Sequence, residues 1–183
     1  MHYIARILLK IMGWKLKGIQ PEHTKYIIAV VPHTSSKDFV IGRLVATSMR
    51  VNVHFLIKKE LFFFPYGLLL RALKAIPVNR KAPKQMITDV VNRINKSEKF
   101  VLVVTPEGTR KKVKTWKKGF YYIAKKANIP ILPAAIDFEK KEVTLLDLLY
   151  PSDDEQDDYK RLIDAIKLVN PKAKKPDQFE YPF

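Results

Sequence analysis

The chain has 183 residues, 47% of them hydrophobic, no cysteine, and a formal charge of +16 from 34 Lys and Arg against 18 Asp and Glu. That length suits one domain with a proper core, and the lack of cysteine excludes disulfides, thiolate nucleophiles and cysteine-ligated zinc. The base is concentrated in residues 1–150, with 28 basic residues against 10 acidic, whereas 151–183 hold 6 against 8; such a body favours an anionic partner, whether lipid head groups, nucleic acid, or a phosphorylated or acidic substrate.

Residues 1–20 are expected to form a basic amphipathic helix. Tyr3, Ile4, Ile7, Leu8 and Ile11 recur at helical spacing, with Arg6, Lys10 and Lys17 on another face and Trp14 between. The internal charges and the lack of a small-residue cleavage site argue against a signal peptide or a spanning helix. A membrane interface and the domain's own core suit this helix equally well.

Residues 21–150 read as an α/β unit. Tyr26 to Val31 is apolar throughout, like a strand buried on both faces of a parallel sheet. Pro32-His33-Thr34-Ser35-Ser36-Lys37-Asp38 then hands over to a helix, at the sheet rim where open α/β folds bind ligands. An imidazole oriented by a carboxylate is a general base held in one tautomer. Ser35-x-x-Asp38 is equally a capping box, in which Asp38 only satisfies the backbone.

A second strand is expected over Asn52–Ile57, with His54 as a half-buried core residue. Leu61 to Leu70 follows, the most apolar run of the chain, interrupted by Pro65 and Gly67 and too short to span a bilayer. Core packing is the default for it; a dip into a membrane surface or an alkyl-chain channel are the other readings. Ile76 to Arg80 is a short strand. Pro83 opens a helix with Met86, Ile87, Val90, Val91 and Ile94 on one face. Phe100 to Thr105 is another buried strand, and it delivers Pro106-Glu107-Gly108-Thr109-Arg110 to the rim. Lys111 to Lys118 sets five lysines around Trp116, a cluster suited to phosphates on a lipid surface. A helix over Gly119–Asn128 and a hairpin of Ile129–Ile136 with Val143–Leu149 complete the unit.

Residues 151–183 comprise an acidic loop, Pro151 to Asp158, a helix, Tyr159 to Val169, and a Pro- and Lys-containing tail, Asn170 to Phe183, expected to be mobile. Strands alternating with helices predict a single-domain α/β fold with a mainly parallel twisted sheet flanked by helices.

His33-x4-Asp38, Ile76-Pro77-Val78-Asn79-Arg80, Pro106-Glu107-Gly108-Thr109-Arg110 and Ile129-Pro130-Ile131-Leu132-Pro133 occur in that order. Together they resemble the glycerolipid acyltransferase family, typified by lysophosphatidate (1-acylglycerol-3-phosphate) acyltransferases, whose motifs are H-x4-D, an apolar run ending in Arg, E-G-[ST]-R and a proline-bearing strand. The resemblance covers residues 26–137 and implies a glycerol-3-phosphate acyltransferase-like fold on the cytoplasmic membrane face. It also implies transfer of a fatty acyl group from an acyl thioester, acyl-CoA or acyl carrier protein, to a lysophospholipid hydroxyl. His33 and Asp38 would then be catalytic. Arg80, Glu107, Gly108, Thr109 and Arg110 would bind substrate: the arginines hold an acceptor phosphate, Gly108 allows close backbone approach, and Glu107 either anchors Arg110 or binds an acceptor hydroxyl. Asn79, Thr105 and Val31-Pro32 depart from common family residues and leave open whether the acceptor is lysophosphatidate, another lysophospholipid or an amino-acid-based lipid. No G-x-S-x-G elbow surrounds Ser35 or Ser36, so direct transfer is expected rather than an acyl-enzyme. No cofactor, metal or nucleic-acid partner is expected; no helix-turn-helix, RNA-binding aromatic signature or zinc spacing is present.

Overall fold

A computed structural model describes residues 1–182. The elements in order are α1 (His2–Ile11), β1 (Lys15–Lys17), β2 (Lys25–Val31), α2 (Ser36–Ser48), β3 (Val53–Lys58), α3 (Tyr66–Ala72), β4 (Ala75–Val78), α4 (Pro83–Lys96), β5 (Phe100–Val104), α5 (Gly119–Ala127), β6 (Ile131–Asp137), β7 (Glu142–Leu145) and α6 (Glu155–Val169). One seven-stranded sheet has the order β1-β7-β6-β2-β5-β3-β4. Strands β2 to β6 run parallel, while β7 turns back antiparallel on β6 and carries β1 parallel beside it. The expected α/β fold with a mainly parallel sheet is therefore the one observed.

Strand β2 lies at the centre and is apolar on both faces because both are covered. Ile27, Ala29 and Val31 point into a core shared with α4, α5 and α6; Tyr26, Ile28 and Val30 point into a second core under α1 and α2. The period of two along the strand divides the residues between these layers. Pro83 begins α4, and Ile87, Val90, Val91 and Ile94 are buried as the helical period requires. His54 is half-buried, its ring stacked on Phe100 with centroids 4.3 Å apart, and burial pulls its pKa below the usual imidazole value.

Four expectations about these elements need correction. The N-terminal helix ends at Ile11, and Lys15–Lys17 instead forms the edge strand β1, paired with Glu142–Thr144. Of the two surroundings left open for the α1 stripe, the domain's own core is not the one it meets: only Ala5 and Leu9 are buried, and Tyr3, Ile4, Ile7, Leu8 and Ile11 are exposed. The run Leu61–Leu70 is not core: Leu61, Phe63, Phe64, Tyr66, Leu68 and Leu69 are all exposed. Trp116 is not a surface contact but buried among the α4 and α5 side chains, leaving its lysines outside. Helix α6 begins at Glu155 rather than Tyr159, because the acids of the presumed loop stabilise its first turn and Asp154 caps it by accepting from the Asp157 N–H at 3.0 Å.

The tail expected to be mobile is docked as far as it is described; Phe183 lies outside the described residues. Ala173 is buried, Phe179 and Tyr181 pack against the core, and the Phe138 N–H donates to the Lys172 carbonyl at 2.9 Å. Its apolar residues find a place only once the sheet and helices exist, so composition alone misreads it.

Candidate functional site

His33 follows β2, and Glu107 to Arg110 follow β5, the strand directly beside it. Arg80 follows β4 at the far edge of the same rim. Parallel strands present their carboxyl ends together, so three motifs distant in sequence converge there.

The turn between β2 and α2 brings His33 and Asp38 together, with Nδ1 to Oδ2 at 3.1 Å. Asp38 is buried, and its Oδ2 also accepts from the N–H groups of Thr34 and Ser35, each at 2.8 Å. Ser35 in turn accepts from the Lys37 N–H. Both readings of this stretch are realised at once: Asp38 completes the capping box of α2 and touches the imidazole. With Nδ1–H donated to the carboxylate, the Nε2 lone pair is available to a substrate proton. His33 lines the cleft with its side chain 22% exposed.

Glu107 does not anchor Arg110, and it takes a partner that the sequence did not suggest. It is only 4% exposed and lies behind the cleft wall, where Oε1 accepts the His33 backbone N–H at 2.9 Å, 74 residues away in sequence. Its Oε2 has no partner among the described residues, so no Glu107–Arg110 ion pair forms there. Burial pushes the Glu107 carboxyl up to about 7, against the pull of the bond from His33. Glu107 therefore braces the backbone of the residue it follows in space. Gly108, at φ +65°, permits the tight turn that carries it inward; a Cβ there would stand 3.0 Å from Lys117 Cγ.

Arg110 instead donates from Nη1 to the Ser36 hydroxyl on the first turn of α2. Arg80, Gly108, Thr109 and Arg110 line the same cleft as His33, so every residue singled out in the sequence borders it or, like Glu107, supports it. Two partners escaped the sequence reading. Ser36, read as a turn residue, holds Arg110. Buried Thr34 accepts the Lys175 N–H of the tail at 3.2 Å, which ties the C-terminus to the His33 loop. Neither leaves a local sequence signal, because each partner lies more than seventy residues away.

The cleft measures about 1570 Å³, beyond the ~300–1,000 Å³ of ordinary small-molecule sites. Its rim is polar, with His33, Ser36, Arg80 and Arg110. Inward it becomes apolar, passing Phe39, Phe55, Leu70 and Val103 and running beneath α2 along Val45 and Ile136. A Cβ built on Gly42 of α2 meets nothing within 4 Å, so the space beside that helix is open. A long apolar chain with an anionic head matches this division of surface.

Comparison with known proteins yields three findings. The Acyltransferase family model matches residues 15–137. Two curated proteins named 1-acyl-sn-glycerol-3-phosphate acyltransferase are similar: that of Cocos nucifera is 27% identical over 143 residues, 74% of this chain and 45% of the relative. That of Saccharomyces cerevisiae is 27% identical over 144 residues, 74% of this chain and 46% of the relative. The chain thus spans about half the length of the curated relatives it matches. The crystal structure of the 1-acyl-sn-glycerophosphate acyltransferase PlsC from Thermotoga maritima shares the fold, with a TM-score of 0.63 at 19% identity over 92% of this chain and 76% of that one.

Proposed function

The chain belongs to the acyltransferase family, and from that premise we propose that it transfers a fatty acyl group from an acyl thioester, acyl-CoA or acyl carrier protein, to the hydroxyl of a lysophospholipid of the lysophosphatidate type. The observation that carries this reading is the His33–Asp38 contact at the polar mouth of a deep apolar cleft, with Arg80 and Arg110 on the same rim.

The chemistry follows from those atoms. His33 Nε2 removes the acceptor hydroxyl proton as the oxygen attacks the thioester carbonyl, and Asp38 stabilises the imidazolium that forms. The C–S bond breaks and the imidazolium returns its proton to the departing thiolate. Transfer is direct: there is no cysteine, Ser35 is occupied in the cap and Ser36 accepts from Arg110. The N–H groups of Thr34, Ser35 and Lys37 are engaged by the Asp38 and Ser35 side chains, so the donors for the developing oxyanion come from elsewhere on the rim. The guanidinium groups of Arg110 and Arg80 hold the acceptor phosphate, while the apolar depth holds the acyl chain.

The protein works from a membrane surface in this reading. No helix among the described residues is long and apolar enough to cross a membrane. Helix α1 presents Tyr3, Ile4, Ile7 and Ile11 to the outside beside Arg6 and Lys10, an interfacial pattern. Incubation with acyl-CoA or acyl carrier protein and a panel of lysolipids, with product mass determined, tests the activity. Acyl product with the native chain and its loss in His33→Ala support it; transfer that survives His33→Ala overturns the mechanism.

A further inference from the structure

We propose that the segment from Lys58 to Lys74, at the mouth of the cleft, is a lipid-inserting surface through which the acceptor passes from an anionic bilayer into the site. The proposal rests on the acyltransferase reading above and names a docking surface distinct from α1.

Leu61, Phe63, Phe64, Tyr66, Leu68 and Leu69 are each at least half exposed, with Phe64 at 82%. An apolar patch of that density on a water-soluble face marks an interaction site. The segment is firmly built, not a loose loop. The Gly67 N–H donates to the Phe63 carbonyl at 2.7 Å, and a Cβ on Gly67 would stand 2.6 Å from the Phe62 carbonyl oxygen. The Phe63 and Tyr66 rings tilt together with centroids 5.1 Å apart. Close backbone packing thus fixes the side chains outward.

Charge selects the occupant. Lys58, Lys59, Arg71 and Lys74 flank the aromatic residues against one acid, Glu60. A second copy of the chain docked by two-fold symmetry would set these bases against themselves, whereas anionic head groups neutralise them and accept the aromatic rings. Position supplies the route: Leu70 of α3 and Leu73 just after it line the cleft, so the patch continues into the site. Helix α3 has 7 residues, enough for shallow insertion and not for a span.

The native chain has no cysteine, so Phe64→Cys takes one polarity-sensitive fluorophore, with Leu168→Cys on α6, 88% exposed, as the reference site. Vesicles of phosphatidylcholine with phosphatidylglycerol should shift the label at 64 to the blue and expose it to lipid-borne quencher, leaving the label at 168 unmoved. Phe63→Ser/Phe64→Ser in the full chain should lose ~10-fold or more in vesicle partitioning and a similar factor in rate on vesicle-borne acceptor. Its rate on a short-chain, water-soluble acceptor should be unchanged. A label at 64 that stays in water on vesicle-bound protein overturns the proposal, as does a native dimer that the double variant splits. Insertion at 64 without acyl transfer to any acceptor would keep this surface and reject the enzymatic reading; transfer to the soluble acceptor with no insertion would do the reverse.

Discussion

Asp38→Asn separates the two things that Asp38 does. All three of its contacts converge on Oδ2, namely His33 Nδ1 at 3.1 Å and the Thr34 and Ser35 N–H groups at 2.8 Å, while Oδ1 is buried with no partner among the described residues. An Asn with its carbonyl oxygen at the Oδ2 position keeps the cap and the imidazole tautomer and loses only the charge. A unit charge pair near 4 Å is worth ~4 kcal/mol at an effective dielectric of 20, and the amide dipole retains part of that. The imidazolium formed during proton transfer therefore loses ~3 kcal/mol, which lowers kcat ~10²-fold. Stability changes less, because the unpartnered amide N–H at Oδ1 costs ~1–3 kcal/mol and removal of a buried charge offsets it. Asp38→Ala, by contrast, strips the acceptor from two backbone N–H groups and lowers both activity and Tm. Steady-state kcat at saturating acceptor, paired with thermal melts of both variants, provides the assay. If Asp38→Asn keeps more than about a third of the native kcat, far above the range expected of an assisted general base, Asp38 is a helix cap alone and the catalytic pair is wrong.

Three further outcomes are expected. The Glu107 carboxyl titrates near 7 in the folded chain against an ordinary 4.5. The folded state then holds a proton that the unfolded chain releases, so this group leaves stability untouched below 4.5, lowers it as pH rises through 4.5 to 7, and costs ~3 kcal/mol above that. Urea unfolding across this window should show native stability falling relative to Glu107→Gln, which still accepts the His33 N–H; parallel curves would contradict a buried ionisable carboxyl. Arg110→Ala should lower kcat/KM on lysophosphatidate ~10–100-fold, the worth of a charge-assisted contact, and leave a neutral alcohol acceptor nearly unaffected; equal losses on both would remove Arg110 from phosphate recognition. Ile4→Ser/Ile7→Ser/Ile11→Ser should weaken flotation with anionic liposomes while moving Tm by no more than a few degrees, since all three residues are exposed; unchanged flotation would refute the α1 anchor. Point substitutions suit this test better than deletion of 1–17, which would remove Leu9 from the core and β1 from the sheet.

Much was settled by local chemistry in the sequence. Unbroken apolar β-branched runs such as Tyr26–Val31 and Phe100–Val104 can be stable only as strands covered on both faces, so an α/β sheet follows from them. The five-residue spacing of His33 and Asp38 closes through a Ser-capped turn, a local event, and it was legible for the same reason. Tertiary structure decided the rest, because burial depends on neighbours that no short window contains. Leu61–Leu70 and the α1 stripe have core composition but meet no opposing layer, whereas Trp116 and the tail have surface composition and find one. Glu107 is the clearest case. Its sequence neighbour Arg110 suggested an ion pair, but the adjacency of β5 to β2 set it against the His33 backbone, and only strand order determines that.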